Sequence, residues 1–238
     1  DYDQFLLSDQ DNYRIFPSNI EPLSVQGIRP AGEWAYYHQS INGYSAAKLK
    51  RYDDILKLVQ RDAKHDGELI RYVRGVYEQG GKEVPTPVLN MLNTKYIMLP
   101  DSLPYGDYLS QLKPVYVSNT GLHIYRNYSV LPRAWFVDSL EVITKPEERL
   151  ARIQNPFFNP AKLALVESEV QGTSAPDSSS IKQTANEMHR LEYDVYANKD
   201  AFLVLSEIYY PAGWTAFIDG KATEIYPVNH VLRGVKIP

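Results

Sequence analysis

The stretch from Phe202 to Pro238 constrains the fold more than any other part of this chain. It reads FLVLSEIYYPAGWTAFIDGKATEIYPVNHVLRGVKIP. Ala201-Phe-Leu-Val-Leu205 is apolar at every position, the pattern of a strand lying mid-sheet with both faces covered. Pro211 to Gly213 marks a corner, and Trp214 after it is expected to turn inward and close the core. Asp219-Gly220 is the pair favoured by a two-residue type I′ hairpin, because both central residues take positive φ. A segment built this way needs antiparallel partners.

Those partners are legible upstream, where the texture turns to strands near Pro132. Arg133 to Val137 and Lys162 to Val166 read as strands. Between them Thr144 and Glu147 form a Thr-x-x-Glu capping box, so a helix is expected near 145–154. Asn155-Pro156 and Asn159-Pro160 punctuate its end. The run 171–180 (QGTSAPDSSS) is polar and turn-rich, and is expected to be a mobile loop. Leu191, Tyr193 and Val195 alternate with Arg190, Glu192 and Asp194, which predicts a half-buried strand with one wet face. Short strands separated by turn signals predict an antiparallel β-sandwich, jelly-roll or immunoglobulin-like, over residues 129–238.

Residues 1–128 mix helix and strand signals and are expected to form an α/β domain, which makes the whole chain α+β. Tyr13, Ile15 and Phe16 suggest a strand. Ser45 is placed to cap a helix with Leu49, Tyr52, Ile55, Leu56 and Val59 on one face, stopping at Gly67. A second helix is expected from Glu68 to Glu78, with Leu69, Val73, Val76 and Tyr77 on one side and Gly80-Gly81 closing it. Thr86-Pro87 is a cap followed by proline at the first helical position, leading through a short helix into the strand Lys95 to Leu99. Val115 to Val117 and Leu122 to Tyr125 flank Asn119-Thr-Gly121 as a hairpin.

Composition excludes several function classes. A net charge of −4 argues against a nucleic-acid partner, which needs a basic stripe. No run of about 18 apolar residues is present to span a bilayer, and the opening DYDQFLLSDQDNYR lacks the form of a signal peptide. With no cysteine there is neither disulfide nor thiolate zinc site. The five histidines (His38, His65, His123, His189, His230) form no local ligand pair, and no cofactor or metal is expected. Asp9-Gln-Asp11 has the spacing with which two carboxylates share a divalent cation, but such pairs are common by chance and a solvated loop is the favoured reading. Asp53-Asp54 and Glu147-Glu148 are consecutive and so do not face each other on a helix. Asp219 is accounted for by its turn. No catalytic residue is assigned.

Aromatic residues supply the binding candidates. Nineteen tyrosines suit β-sheets, and their rings also offer apolar planes with polar tips. Trp34-Ala-Tyr-Tyr-His38 beside the Gly43-Tyr44 turn could stack on a sugar, with Trp34, Tyr36, Tyr37 and Tyr44 as platforms and His38, Gln39 and Asn42 bonding hydroxyls. The alternative is that these rings fill a strand-to-helix joint. Tyr209 and Tyr210 form a second group with Trp214. As strand neighbours, the two tyrosines point to opposite faces.

Four segments together resemble a known family. They are Ser40-Ile-Asn-Gly-Tyr-Ser45 with Arg51-Tyr52, Leu89 to Leu99 (LNMLNTKYIML), Tyr125 to Val137 (YRNYSVLPRAWFV) and Leu205 to Val235, the last carrying YYPAGW followed by FIDGK. In this order they resemble the C-terminal extracytoplasmic domain of YfhO-like bacterial membrane proteins. In that family a further strand follows the final Ile-Pro, so one sheet edge here is expected to lack its neighbour. Family members resemble GT-C-type glycosyltransferases, which take sugar from a lipid-phosphate carrier outside the membrane. The resemblance implies an extracytoplasmic module tethered through a transmembrane portion, membrane-adjacent but not spanning. It implies that the catalytic carboxylate lies elsewhere in the parent protein and that this part binds or gates a cell-surface glycan. A non-catalytic module that braces the membrane domain or contacts a partner protein is the alternative. A self-contained hydrolase would need two carboxylates facing each other across a cleft.

Overall fold

The computed structural model describes residues 1–18, 31–42, 48–60, 67–78, 85–100, 102–103 and 109–238. The fold is α+β. The chain divides into two compact units, Asp1–Pro132 and Arg133–Pro238.

The first unit is built on a four-stranded sheet. Its strands are β1 (Arg14–Pro17), β2 (Thr94–Leu99), β3 (Leu112–Val117) and β4 (His123–Asn127), in the order β1-β2-β4-β3. β1 runs parallel to β2, and the other pairs are antiparallel. β2 is buried at every position, as its apolar sequence requires of a central strand. The helix α1 (Tyr2–Ser8) sends Leu6 into a core with Ile15, Trp34, Tyr96, Met98, Leu122 and Ile124. The β3–β4 hairpin forms around Asn119-Thr-Gly121, with Gly121 at φ +82° and the Ser118 hydroxyl accepting from the Leu122 N–H.

The remaining helices are α2 (Ala31–Tyr37), α3 (Lys50–Val59), α4 (Glu68–Glu78) and α5 (Pro87–Met91). The expected cap Ser45 and the pair Gly80-Gly81 lie outside the described residues. Helix α3 does not run to Gly67. It ends at Val59, the last residue of its apolar stripe, and Gly67 instead opens α4, its carbonyl accepting from the Arg71 N–H. Pro87 stands at the start of α5 behind Thr86, as expected. The cap itself is different, because the Thr86 side chain bonds Asn90 and the helix N-terminus is met by Glu68.

The second unit contains one six-stranded sheet and two separate ribbons. The sheet strands are β5 (Ala134–Phe136), β6 (Ser139–Val142), β7 (Leu163–Val166), β10 (Ala201–Ile208), β13 (Tyr226–Val228) and β14 (Leu232–Ile237), in the order β5-β10-β14-β13-β7-β6. The ribbons are β8 (Ser179–Glu187) with β9 (Arg190–Ala197), and β11 (Ala216–Ile218) with β12 (Lys221–Thr223). β10 lies between β5 and β14, with Ala201 to Val204 buried. Gly234 on β14 faces it closely: a Cβ there would come within 2.4 Å of the Phe202 ring and 2.5 Å of Val228.

Two expectations for this unit need correction. It is not wholly antiparallel, because β6 and β7 run parallel. A parallel pair needs a crossover, and the expected inserted helix, α6 (Pro146–Ile153), supplies it. Nor do Thr144 and Glu147 form a capping box. Pro146 fixes the first helical position and leaves Lys145 at the cap, with no side-chain bond. The loop expected over 171–180 gives way to β8 at Ser179. Before that point, Asn198 accepts from the N–H groups of Asp177 and Ser178, and Lys199 meets Asp177 at 2.6 Å.

The hairpins follow local chemistry. Asp219 (φ 49°) and Gly220 (φ 77°) make the expected turn between Ile218 and Lys221. A second turn of the same kind joins β13 to β14 without glycine: Asn229 (φ 47°) and His230 (φ 71°) sit inside a Val231 N–H to Val228 carbonyl bond of 3.1 Å. This tip is buried, and Asn229 exchanges bonds with the Leu165 backbone at 2.8 and 2.9 Å.

Candidate functional site

The first aromatic group is carried by a helix, not a loop. One turn of α2 sends Trp34 inward, fully buried against Tyr2 with centroids 5.4 Å apart. Tyr36 and Tyr37 point outward as an edge-to-face pair. A buried indole offers no face to a sugar. His38 meets Asp3 at 2.8 Å. Asn42 uses both ends of its amide, donating to the Pro17 carbonyl at 2.9 Å and accepting from Gln60 at 2.8 Å. Tyr44 lies outside the described residues. Among the described residues of this group, only Tyr36 and Tyr37 present an exposed aromatic surface.

Asp9 and Asp11 do converge on a cation, and it is a lysine. Lys95 on β2 lies 2.5 Å from each carboxylate, and Tyr96 donates to Asp9 at 2.7 Å. Burial pushes the Asp9 carboxyl up, but the bonds from Lys95 and Tyr96 outweigh it and hold the group below its ordinary range. Burial and the neighbouring carboxylates push the Tyr13 phenol up to about 12. Among the described residues, no group of three or more metal-ligating side chains is gathered.

Glu68 is a strongly perturbed carboxyl. It is buried, and it accepts from the Val88 and Leu89 N–H groups at 2.9 and 2.8 Å. Burial raises it to about 7, against the pull of those two donors. It is committed to holding α5.

The second aromatic group does border a cavity. Tyr209, Tyr210, Pro211, Trp214, Thr223 and Arg233 line a pocket of about 190 Å³ in the second unit. Tyr209 is half-buried, with its N–H bonded to the Val231 carbonyl at 2.7 Å, and Tyr210 is exposed. Gly213 shapes the corner, since a Cβ there would fall 2.7 Å from the Tyr210 ring. Trp214 does not close the core as expected. It is half-buried, with the Arg233 guanidinium 4.2 Å from its ring centroid. Arg233 is itself fixed by donating to the Ile208 carbonyl at 2.9 Å. Sequence reasoning missed Arg233; its cross-strand place opposite Leu205 comes from pairing rather than local pattern. Through Trp214 and Arg233 the pocket adjoins a larger cleft of about 800 Å³, which also takes in Tyr193 and Phe217.

Comparison with protein-family models, curated proteins and solved structures returns no match. Among the described residues, no helix is long and apolar enough to cross a membrane.

Proposed function

We propose that this chain is an extracytoplasmic module of a YfhO-like bacterial membrane protein. It binds a cell-surface glycan while sugar transfer from a lipid-phosphate carrier takes place in the transmembrane portion. The observation that carries this reading is the corner pocket. Its aromatic rings offer an apolar face to a sugar ring, and Thr223 and the phenols offer partners for hydroxyls. The corner also coincides with the YYPAGW segment on which the family resemblance rests.

Titration of the full chain with wall and capsule oligosaccharides, followed by NMR, tests it. Shifts are expected at Tyr209, Tyr210, Gly213 and the Trp214 indole, with Tyr36 and Tyr37 as a second set of reporters. Trp214→Ala is expected to weaken binding by about tenfold or more, the loss of one aromatic platform. Silence across a broad panel overturns the glycan reading. One observation favours the alternative, a protein-interaction module: the larger cleft is far bigger than one sugar needs and is walled by strands.

A further inference from the structure

The corner pocket and the large cleft share part of their lining. Trp214, Thr215, Ala216, Ile225 and Arg233 border both. Residues that border two cavities stand between them, and here the two largest side chains are stacked, with the Arg233 guanidinium 4.2 Å from the Trp214 ring centroid. Trp214 sits between the Pro211–Gly213 turn and β11, outside the strands, so its ring takes its orientation from what it packs against. Arg233 is better anchored. It belongs to β14, it is 7% exposed, and its Nε–H donates to the Ile208 carbonyl at 2.9 Å. β10 slips register between Leu205 and Ile208, which sets Ile208 opposite Leu232, the neighbour of Arg233. A guanidinium held this way fixes the indole through the attraction of a cation to the ring face.

We infer that the Trp214–Arg233 stack is a fixed partition that confines the corner pocket to one sugar residue, with Arg233 as the positioning residue that holds Trp214 in place. The inference rests on the glycan reading and names the size of ligand that the site takes. With the partition in place the pocket holds about 190 Å³, below the roughly 300 Å³ at which sites for drug-sized ligands begin. Without it the pocket would open into the cleft of about 800 Å³. Arg233 acts on the ligand through the indole, so its loss is read first at Trp214.

The test has one arm without ligand and one with it. In the free chain, nitrogen relaxation of the Trp214 indole N–H should give an order parameter of about 0.85, the rigid value. A value below about 0.6 means a swinging ring and overturns the partition. Arg233→Met keeps the stem and removes the cation. It should bring the Trp214 value below about 0.6 and leave the Trp135 indole, bonded to the Pro160 carbonyl, unchanged. An unchanged Trp214 value, or a matching fall at Trp135, overturns the positioning role. The second arm titrates the full chain with the methyl glycosides of glucose, galactose and N-acetylglucosamine and with their linear trisaccharides. For any sugar that binds, glycoside and trisaccharide should agree within about threefold. A trisaccharide at least about tenfold tighter shows that the ligand runs past Trp214; it overturns the one-residue limit and leaves the glycan reading standing. Silence of all these probes overturns the limit together with the glycan reading, and the relaxation arm still judges the stack.

Discussion

The two units treat their polar groups differently. In the first, charged and amide side chains turn inward to brace backbone. Lys95 joins two carboxylates from the segment after α1, Glu68 holds the start of α5, and Asn127 donates to both Asn90 and the Thr94 carbonyl. The second unit also buries polar groups, among them Arg149 and Asn229, yet it leaves β9 paired along one edge only. The contrast teaches that inward polar groups consume bonding capacity, whereas free strand edges keep it available for something else.

Four measurements sharpen or break this contrast. Lys95→Ala should cost about 4 kcal/mol in urea unfolding, because it strands the Asp9 carboxylate among half-buried rings. A loss within the range of ordinary surface changes would mean that the cluster does not brace the unit. Glu68 should make stability fall as pH rises. The folded carboxyl keeps its proton to about pH 7 and the unfolded one only to about 4.5. The folded chain therefore binds more protons in that window, and about 3 kcal/mol present below it is lost by its upper end. Glu68→Gln should flatten the slope; an unchanged slope would assign it to another group. The raised Glu68 and the lowered Asp9 act with opposite sign, since the Asp9 contribution disappears as pH falls.

In the second unit, Gly234→Ala should cost about 2 kcal/mol by overpacking Phe202 and Val228. A neutral result in thermal melts would show that this face has room to relax. The smallest effect belongs to Phe217, 63% exposed on the cleft wall. Phe217→Ser should change stability by less than about 0.5 kcal/mol. A larger loss would mean that the wall is already part of a closed core.

Much of the fold was legible because it is locally encoded. The apolar run of β10, the Asp219-Gly220 turn and the Thr86-Pro87 start each declare themselves within a few residues. Failures came where a neighbour decided. Pro146 overrode the Thr144 signal, and the Asn229-His230 turn has no glycine to announce it. The parallel β6–β7 pair depends on where two short strands meet. For Trp34 the packed joint, not the sugar platform, is the reading that its burial in α2 agrees with. The candidate site was half legible: Tyr209 and Tyr210 were found, and Arg233 was not. The pairing of β9 along one edge was hidden for a more general reason. Alternation in β9 reports which face is wet, and nothing in a side-chain pattern reports which edge is paired.

The strand order of the six-stranded sheet also bears on how the chain is made. β13 and β14 come last in sequence, yet they stand at its centre, between β10 on one flank and β7 on the other. The flank formed by β6, α6 and β7 is contiguous and can assemble early. Apart from the Trp135 indole bond to the Pro160 carbonyl, it has no strand pairing with β5 or β10 until Tyr226–Ile237 emerges from the ribosome. Vectorial synthesis therefore delivers the keystone after both flanks, and the nascent second unit must hold two unpaired sheet fragments until Tyr226–Ile237 arrives.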